Sequence, residues 1–287
     1  MAQKLHEHDF KIIGFGRLKE TTTGIYGANN AILTDYSDLH NKMAGLDCVV
    51  HFAGKAHKQK RANRNFEAYF VANVTLTRKL AEAVLNAGVK KFIFISTIAV
   101  YGLRSSNKAI KENAELRPTT PYAETKLIAE QELIDMFCNS NTQLIILRPP
   151  LIYGKLAPGN FGKILKFVNK GIPLPLAGVK NKRSCVLVDN FAAKIIKVIC
   201  YKGNASGIYN ISDEPDLSTI DLVKQAGKFQ GKHVRLFKFF PRSQKWLLGL
   251  IGNKELADML YADLRIDASK YNRKFNIDEK VSRKVKL

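Results

Sequence analysis

Four short apolar runs constrain the fold of this 287-residue chain more than any other feature. They are Phe10–Phe15, Cys48–Ala53, Lys91–Ser96 and Gln143–Leu147, each rich in β-branched and aromatic residues and apolar at consecutive positions. A strand that is apolar on both faces is buried on both, as in a parallel sheet covered on two sides. Between the runs lie helical patterns, notably Phe66–Ala87 and Tyr122–Phe137. Pro121 opens the second and suits a first helical turn, where its missing N–H would have no partner. Strands alternating with helices predict an α/β fold built on a doubly wound parallel sheet. After Gly154 the elements shorten and Pro, Gly and Lys become more frequent. Residues 1–154 therefore read as the sheet domain and 155–287 as a smaller region, with Gly207–Ser212 a strand that returns to the main sheet.

Composition narrows the class. At 46% hydrophobic and 25% charged residues the chain is neither disordered nor collagen-like. No apolar stretch reaches the roughly 18 residues that span a bilayer. The opening Met-Ala-Gln-Lys-Leu-His-Glu-His-Asp lacks the apolar core of a signal peptide. Cys48, Cys138, Cys185 and Cys200 are scattered with no Cys-x-x-Cys pair, which argues against a metal site or a disulfide scaffold and for a reducing, cytoplasmic setting. The net charge of +21 is spread along the chain, densest in Lys55–Arg64 and the C-terminus. Nucleic-acid binders concentrate such charge among aromatics, so no specific nucleic-acid partner is expected. An anionic small molecule, or at most a peripheral association with an acidic membrane surface, fits a dispersed field better. Most of these lysines read as ordinary solvated surface.

Chemistry concentrates at Tyr122-Ala-Glu-Thr-Lys126, where a phenol and an ammonium four residues apart share a helix face. Such a pair suits proton transfer at an alcohol or sugar hydroxyl, because a neighbouring cation would favour the phenolate. A shift of ~3 pKa units corresponds to roughly 4 kcal/mol. One such pair is expected by chance in a lysine-rich chain, so context decides. Thr97 lies upstream, immediately after the run Lys91–Ser96 ends. A hydroxyl at the carboxyl end of a parallel strand faces the crevice where such sheets bind ligands.

At this point the sequence resembles the extended short-chain dehydrogenase/reductase family, the NAD-dependent epimerases and dehydratases. The resemblance runs from about Phe10 through six ordered motifs. They are Val49-Val-His-Phe-Ala-Gly54, Asn73 in Val-Ala-Asn-Val, Thr97-Ile-Ala-Val-Tyr-Gly102, Tyr122-x-x-x-Lys126, Arg148-Pro149-Pro-Leu-Ile-Tyr-Gly154 and Arg183-Ser-Cys-Val-Leu-Val-Asp189. It implies a Rossmann-like fold with a C-terminal substrate-binding region, and Tyr122 as acid/base. It implies that Lys126 holds the nicotinamide ribose and lowers the tyrosine pKa, and that Thr97 hydrogen-bonds the reacting sugar oxygen. Ala53, Gly54, Lys55 and Pro149 would lie along the cofactor. Arg183 would take the substrate pyrophosphate, and Asn160 would cap the helix beginning at Phe161, meet the same phosphates, or both. Asn73 reads mainly as a helix-embedded structural residue, and Asp189 as the N-cap of a helix reaching Cys200. The pattern Gly159-Asn-Phe with Gly171-Ile-Pro-Leu-Pro-Leu and Asn181-Lys-Arg-Ser resembles a branch of bacterial surface-polysaccharide synthesis acting at C4 of UDP-sugars. The implied partner is a UDP-sugar, and a homodimer is compatible.

One departure stands out. The family's first strand and its Gly-x-x-Gly-x-x-Gly loop have no counterpart in the reading. Gly24-Ile-Tyr-Gly27 follows no apolar strand, and it begins too close to His51 for a helix and two further strands to fit between. Met1–Asp9 reads as the tail of the first helix and Phe10–Arg17 as the second strand, so the chain is expected to lack about twenty family residues at its start. Arg17 then falls where a 2′-phosphate would sit, which tips the cofactor expectation from NAD to NADP. The acid expected after the third strand is not evident, with Ile32 in that place and Asp35 three residues on. The competing expectation is a catalytically impaired, truncated homologue that survives as a pseudogene product or binding partner.

Overall fold

The computed structural model describes residues 10, 11, 13–16, 30–32, 39–52, 54–56, 66–157, 159–171, 173–238, 258 and 260–275. The described residues fall into two compact units, one drawn from 1–100, 118–147 and 192–208, the other from 101–117, 148–191 and 209–287.

The first unit carries the main sheet. Strand β1 (Gly14–Gly16) pairs in parallel with β2 (Asn30–Ile32). After the short helix α1 (Leu39–Met43), β3 (Cys48–His51) pairs in parallel with β4 (Lys91–Ile95), Val49 opposite Phe92 and Val50 opposite Ile93. On its other side β4 pairs in parallel with β6 (Gln143–Arg148), Phe92 opposite Leu144. The strand order is β3-β4-β6-β9, with β9 spanning Gly207–Asn210. Among the described strands β3 has β4 as its one neighbour, and β1–β2 form a separate ladder. Four of the five β4 residues are buried, as expected of a central parallel strand.

Helices α2 (Phe66–Phe70) and α3 (Leu76–Asn86) are joined by a single π-helical stretch, Val71–Thr75. Helix α4 (Pro121–Phe137) begins as its sequence dictates. Thr120 is extended, its hydroxyl accepts from the Ala123 N–H at 3.2 Å, and Pro121 fills the first turn. Leu80, Val84, Phe92, Phe94, Leu133 and Ile146 join the core packed between sheet and helices.

The second unit is built from short parallel pairs. Strand β5 (Ser106–Ile110) pairs with β10 (Leu264–Ile266), and β7 (Leu151–Tyr153) with β8 (Cys185–Leu187). Helix α5 (Gly159–Asn169) packs its Phe161, Leu165 and Val168 into a core shared with Leu222, Val223 and Ala226 of α7 (Thr219–Gln230). Helix α7 starts in a capping box, Ser218 with Asp221, and ends on Gly231 in the left-handed conformation (φ 61°) that glycine adopts without strain. Between these lies α6 (Val188–Cys200), and α8 (Ser269–Phe275) ends the described chain. Asp189 occupies the first turn of α6 and is not its N-cap, because Val188 is already helical. Asn160 likewise sits within the first turn of α5, so it does not precede that helix.

Candidate active site

Three residues singled out by the sequence, Thr97, Tyr122 and Lys126, lie in the first unit, and the first two of them meet. Beyond β4 the chain runs through Ser96 and Thr97 into a short 3₁₀ turn, Ile98–Tyr101, tied to β6 by Ser96 N–H donating to Leu147 O at 2.8 Å. Thr97 and Tyr122 are joined by a side-chain hydrogen bond, and both remain partly exposed. The Ala99 N–H donates to Thr97 Oγ1 at 3.2 Å and fixes that rotamer.

Lys126 lies on the core-facing stripe of α4 that continues through Ala129, Glu130 and Leu133, and it is 3% exposed. Its Nζ stands 4.0 Å from the centroid of the Phe94 ring, a cation–π contact, and has no hydrogen-bond acceptor among the described residues. Burial pushes its pKa down to about 7, against the nearby Glu130 charge, which raises it. The Tyr122 phenol is moved upward by burial, while its bond with Thr97 acts in the opposite direction. The ammonium is itself disfavoured where it lies, and burial is the largest influence on the phenol.

The loop after β3 is held by a residue the sequence reading had treated as structural. Asn73, fully buried in the π turn, accepts from Lys55 N–H at 2.6 Å and donates to Lys55 O at 3.2 Å. The same amide donates to Thr125 Oγ1 at 3.0 Å, so one side chain ties this loop to the residue preceding Lys126. Thr77 Oγ1 donates to Asn73 O at 2.8 Å and lies 2.9 Å from His51 Nε2. Its one proton is used on Asn73, so His51 carries its hydrogen on Nε2. Burial takes the His51 pKa down to about 3, which leaves the imidazole neutral, stacked near Phe92 and Phe94. The signal for Asn73 was a lone amide inside Val-Ala-Asn-Val, a position otherwise suited to an apolar residue.

Gly54 completes the corner. A Cβ there would lie 2.9 Å from Asn73 Oδ1, too close for the amide to stay where it is, and in ordinary contact with Lys126 Nζ at 3.9 Å, so glycine is what leaves Asn73 in place. Lys55 points its ammonium over the Tyr69 ring, 5.2 Å from the centroid. Ser96 Oγ is buried without a partner among the described residues. A buried lysine over an aromatic ring and a buried hydroxyl, neither with a hydrogen-bond partner among the described residues, beside the backbone at Gly54 suit a ligand rich in hydroxyl and amide groups.

The other expected positions are in the second unit or outside the described residues. Pro149 is buried just after β6. Arg183 is half-buried, and its Nη1 donates to Ala262 O at 2.9 Å and Asp258 O at 3.3 Å. Asn181 donates to Ala262 O and Thr219 Oγ1, both at 3.1 Å. Arg17, Ala53, Gly24 and Gly27 lie outside the described residues, as does the side chain of Asn160.

Comparison with known proteins follows from this geometry. A UDP-glucose 4-epimerase of Vibrio cholerae is 29% identical over 236 residues, 81% of this chain and 72% of its own. An Escherichia coli O157:H7 N-acetyl-alpha-D-glucosaminyl-diphospho-ditrans,octacis-undecaprenol 4-epimerase is 32% identical over 206 residues, 70% of this chain and 60% of its own. The crystal structure of the Bacillus cereus UDP-glucuronic acid 4-epimerase in complex with NAD shares the fold, with a TM-score of 0.72 at 22% identity, covering 96% of this chain and 88% of that one. The Brucella ovis UDP-glucose 4-epimerase, also with NAD, superposes at a TM-score of 0.73 with 17% identity over 96% of this chain and 88% of its own. The likeness establishes a Rossmann-like fold. The profile of the NAD dependent epimerase/dehydratase family matches residues 1–212, so this chain, with its Thr97–Tyr122 pair and buried Lys126, belongs to that family.

Proposed function

We propose that this protein transfers hydride between a nicotinamide cofactor and C4 of a UDP-sugar, as a 4-epimerase or 4-ketoreductase, with Tyr122 as acid/base. The observation that carries this reading is the hydrogen-bonded, partly exposed Thr97–Tyr122 pair four residues from a buried Lys126 ammonium without a described acceptor. The Vibrio relative is a UDP-glucose 4-epimerase by name, and the Escherichia relative a 4-epimerase of a diphospho-linked sugar. Solved neighbours hold NAD, and two of them hold UDP-glucuronic acid as well. The non-catalytic alternative is not favoured, because these relatives are enzymes by name.

The residues fit such a cofactor. Lys126 would bind ribose hydroxyls, and the backbone at Gly54 and Lys55, with Pro149, would lie along it. When bound, the nicotinamide ring supplies the acceptor and donor of hydride at C4. Tyr122 takes the proton from the 4-hydroxyl as C4–H is lost and returns it when the carbonyl is reduced. Thr97 holds the sugar oxygen toward the phenol, which its own bond to the Ala99 N–H preorganises. Arg183 would bind the diphosphate by charge-assisted hydrogen bonds, with Asn160 in the first turn of α5 beside the same oxygens. The NADP preference rests on Arg17.

The test is direct. Purified protein is incubated with UDP-glucose or UDP-N-acetylglucosamine and NAD, and separately with a UDP-4-keto sugar and NADPH. The expected result is a C4 epimer by proton NMR in the first case or loss of absorbance at the reduced nicotinamide band in the second. Turnover of the free sugar as fast as of its UDP derivative would exclude the nucleotide-sugar reading.

A further inference from the structure

Helix α5 presents a face that the proposed reaction does not use. Its buried stripe, Phe161, Leu165 and Val168, packs into the second unit's core. Lys163, Lys166, Phe167 and Lys170 follow one another at spacings of three, one and three residues, and so share the opposite face. All four are exposed, and Phe167, at 52% exposure, stands among the three ammonium groups. None of these lysines forms an ion pair among the described residues.

The surroundings extend the same character. From Met136 to Val188 the chain carries eight lysines and arginines and no acid. At one end of α5 the preceding loop lies against the helix, since a Cβ at Gly162 would be 3.1 Å from Ala157 O. That loop holds out Leu156, 91% exposed. At the other end Lys232 Nζ donates to Asn169 O at 2.6 Å and adds a further cation beside the helix C-terminus.

We propose that this face of α5 docks on an anionic lipid bilayer. The lysines would lie among the headgroup phosphates while Phe167 and Leu156 enter the boundary with the acyl chains, the arrangement of a basic amphipathic helix lying in the interface. Charge complementarity selects the partner. An exposed lysine face on a helix within a stretch, 136–188, that holds no acid is matched by a negative surface, and each lysine near such a surface strengthens binding several-fold. The apolar members select lipid over nucleic acid. An aliphatic Leu156 cannot stack on a base, and single-stranded nucleic acids are bound in grooves lined by several aromatics. No helix among the described residues is long and apolar enough to cross a membrane, and the proposed contact is with the bilayer surface.

The experiment is co-sedimentation of the full chain with phosphatidylcholine vesicles in which phosphatidylglycerol is absent, a minor component or a major one. Binding should rise steeply with phosphatidylglycerol and fall as salt is raised, since screening lengths shorten to about 8 Å at physiological ionic strength. K163Q/K166Q/K170Q should weaken partitioning on the order of 100-fold, whereas the arginine counterpart K163R/K166R/K170R should retain it. F167S should cost about tenfold or more, with its thermal midpoint little changed because Phe167 is already 52% exposed. The proposal is overturned by equal binding with and without phosphatidylglycerol, by no binding to the phosphatidylglycerol-rich vesicles at low salt, or by full binding of the triple glutamine variant. Tighter binding to a single-stranded RNA oligomer than to the vesicles, lost in the same variant, would overturn it in favour of a nucleic-acid surface.

Discussion

Lys126 and Tyr122 are each disfavoured as ions by burial, and this has separate consequences for stability and for rate. In the unfolded chain a lysine keeps its proton up to about pH 10.4. In the folded protein Lys126 loses it near pH 7. Between these values the unfolded state binds more protons, so stability should rise as pH increases from about 7 toward 10, and should carry the full burial penalty below 7. Urea midpoints measured from pH 7 to 9.5 should climb in the parent and climb less in Lys126→Met; parallel curves would show that Lys126 is not the group responsible. Tyr122 differs, because its raised phenol stays protonated at neutral pH in the free protein. Tyr122→Phe should therefore leave fold and cofactor affinity nearly unchanged while lowering turnover on the order of 10²–10⁴-fold. Stopped-flow rates with a UDP-4-keto sugar, set beside titration of reduced nicotinamide fluorescence, separate the two effects. Near-parental turnover would remove Tyr122 from the acid/base role.

The π turn is the element that organises this corner. A π-helical insertion of one turn is uncommon and recurs at functional positions. Here it carries Asn73, whose amide satisfies both backbone groups of Lys55 and reaches Thr125. Asn73→Ala would leave three buried or half-buried polar groups without that partner, at about 1–3 kcal/mol each where water cannot replace it. Two consequences should be separable. Stability should fall, as in any core truncation, and nicotinamide affinity should fall by about tenfold or more because the Gly54–Lys55 backbone is no longer held. Val84→Ala removes volume from the same unit's core without touching that loop, and should lose stability while keeping affinity. Equal affinity in both variants would reduce Asn73 to a purely structural residue.

At the scale of the molecule, the proposed function gives the substrate's diphosphate to Arg183 of the second unit. Arg183 is half-buried there and already donates to Ala262 O and Asp258 O. Those bonds aim the guanidinium, and burial moves its pKa downward. Arg183→Ala should raise the KM for a UDP-sugar by roughly 10–100-fold, the worth of a charge-assisted hydrogen bond. The effect should be absent with the free sugar, which lacks the diphosphate. An equal rise for both substrates would mean that the substitution acts through the loosened 258–262 segment.

The main strands and the two long helical segments of the first unit were legible in the sequence. Burial on both faces leaves a continuous apolar run, and the helix announces its start through Pro121, although its Thr120 cap was seen only in the structure. The acid/base candidates were legible because spacing on a helix, and position at a strand end, are local properties. Strands β5, β7, β8 and β10 escaped notice because they are three to five residues long, and β5, Ser-Asn-Lys-Ala-Ile, is exposed at its centre. The chain passes between the units five times, which local texture cannot signal because it depends on contacts between distant segments. The pKa directions belong to tertiary structure for the same reason. The sequence by itself determined which residues share a helix face. Only the fold decided that Lys126 would lie over Phe94 without a described acceptor and that Asn73 would grip the loop beside it, since desolvation and hydrogen bonding between remote segments exist only once the chain has packed.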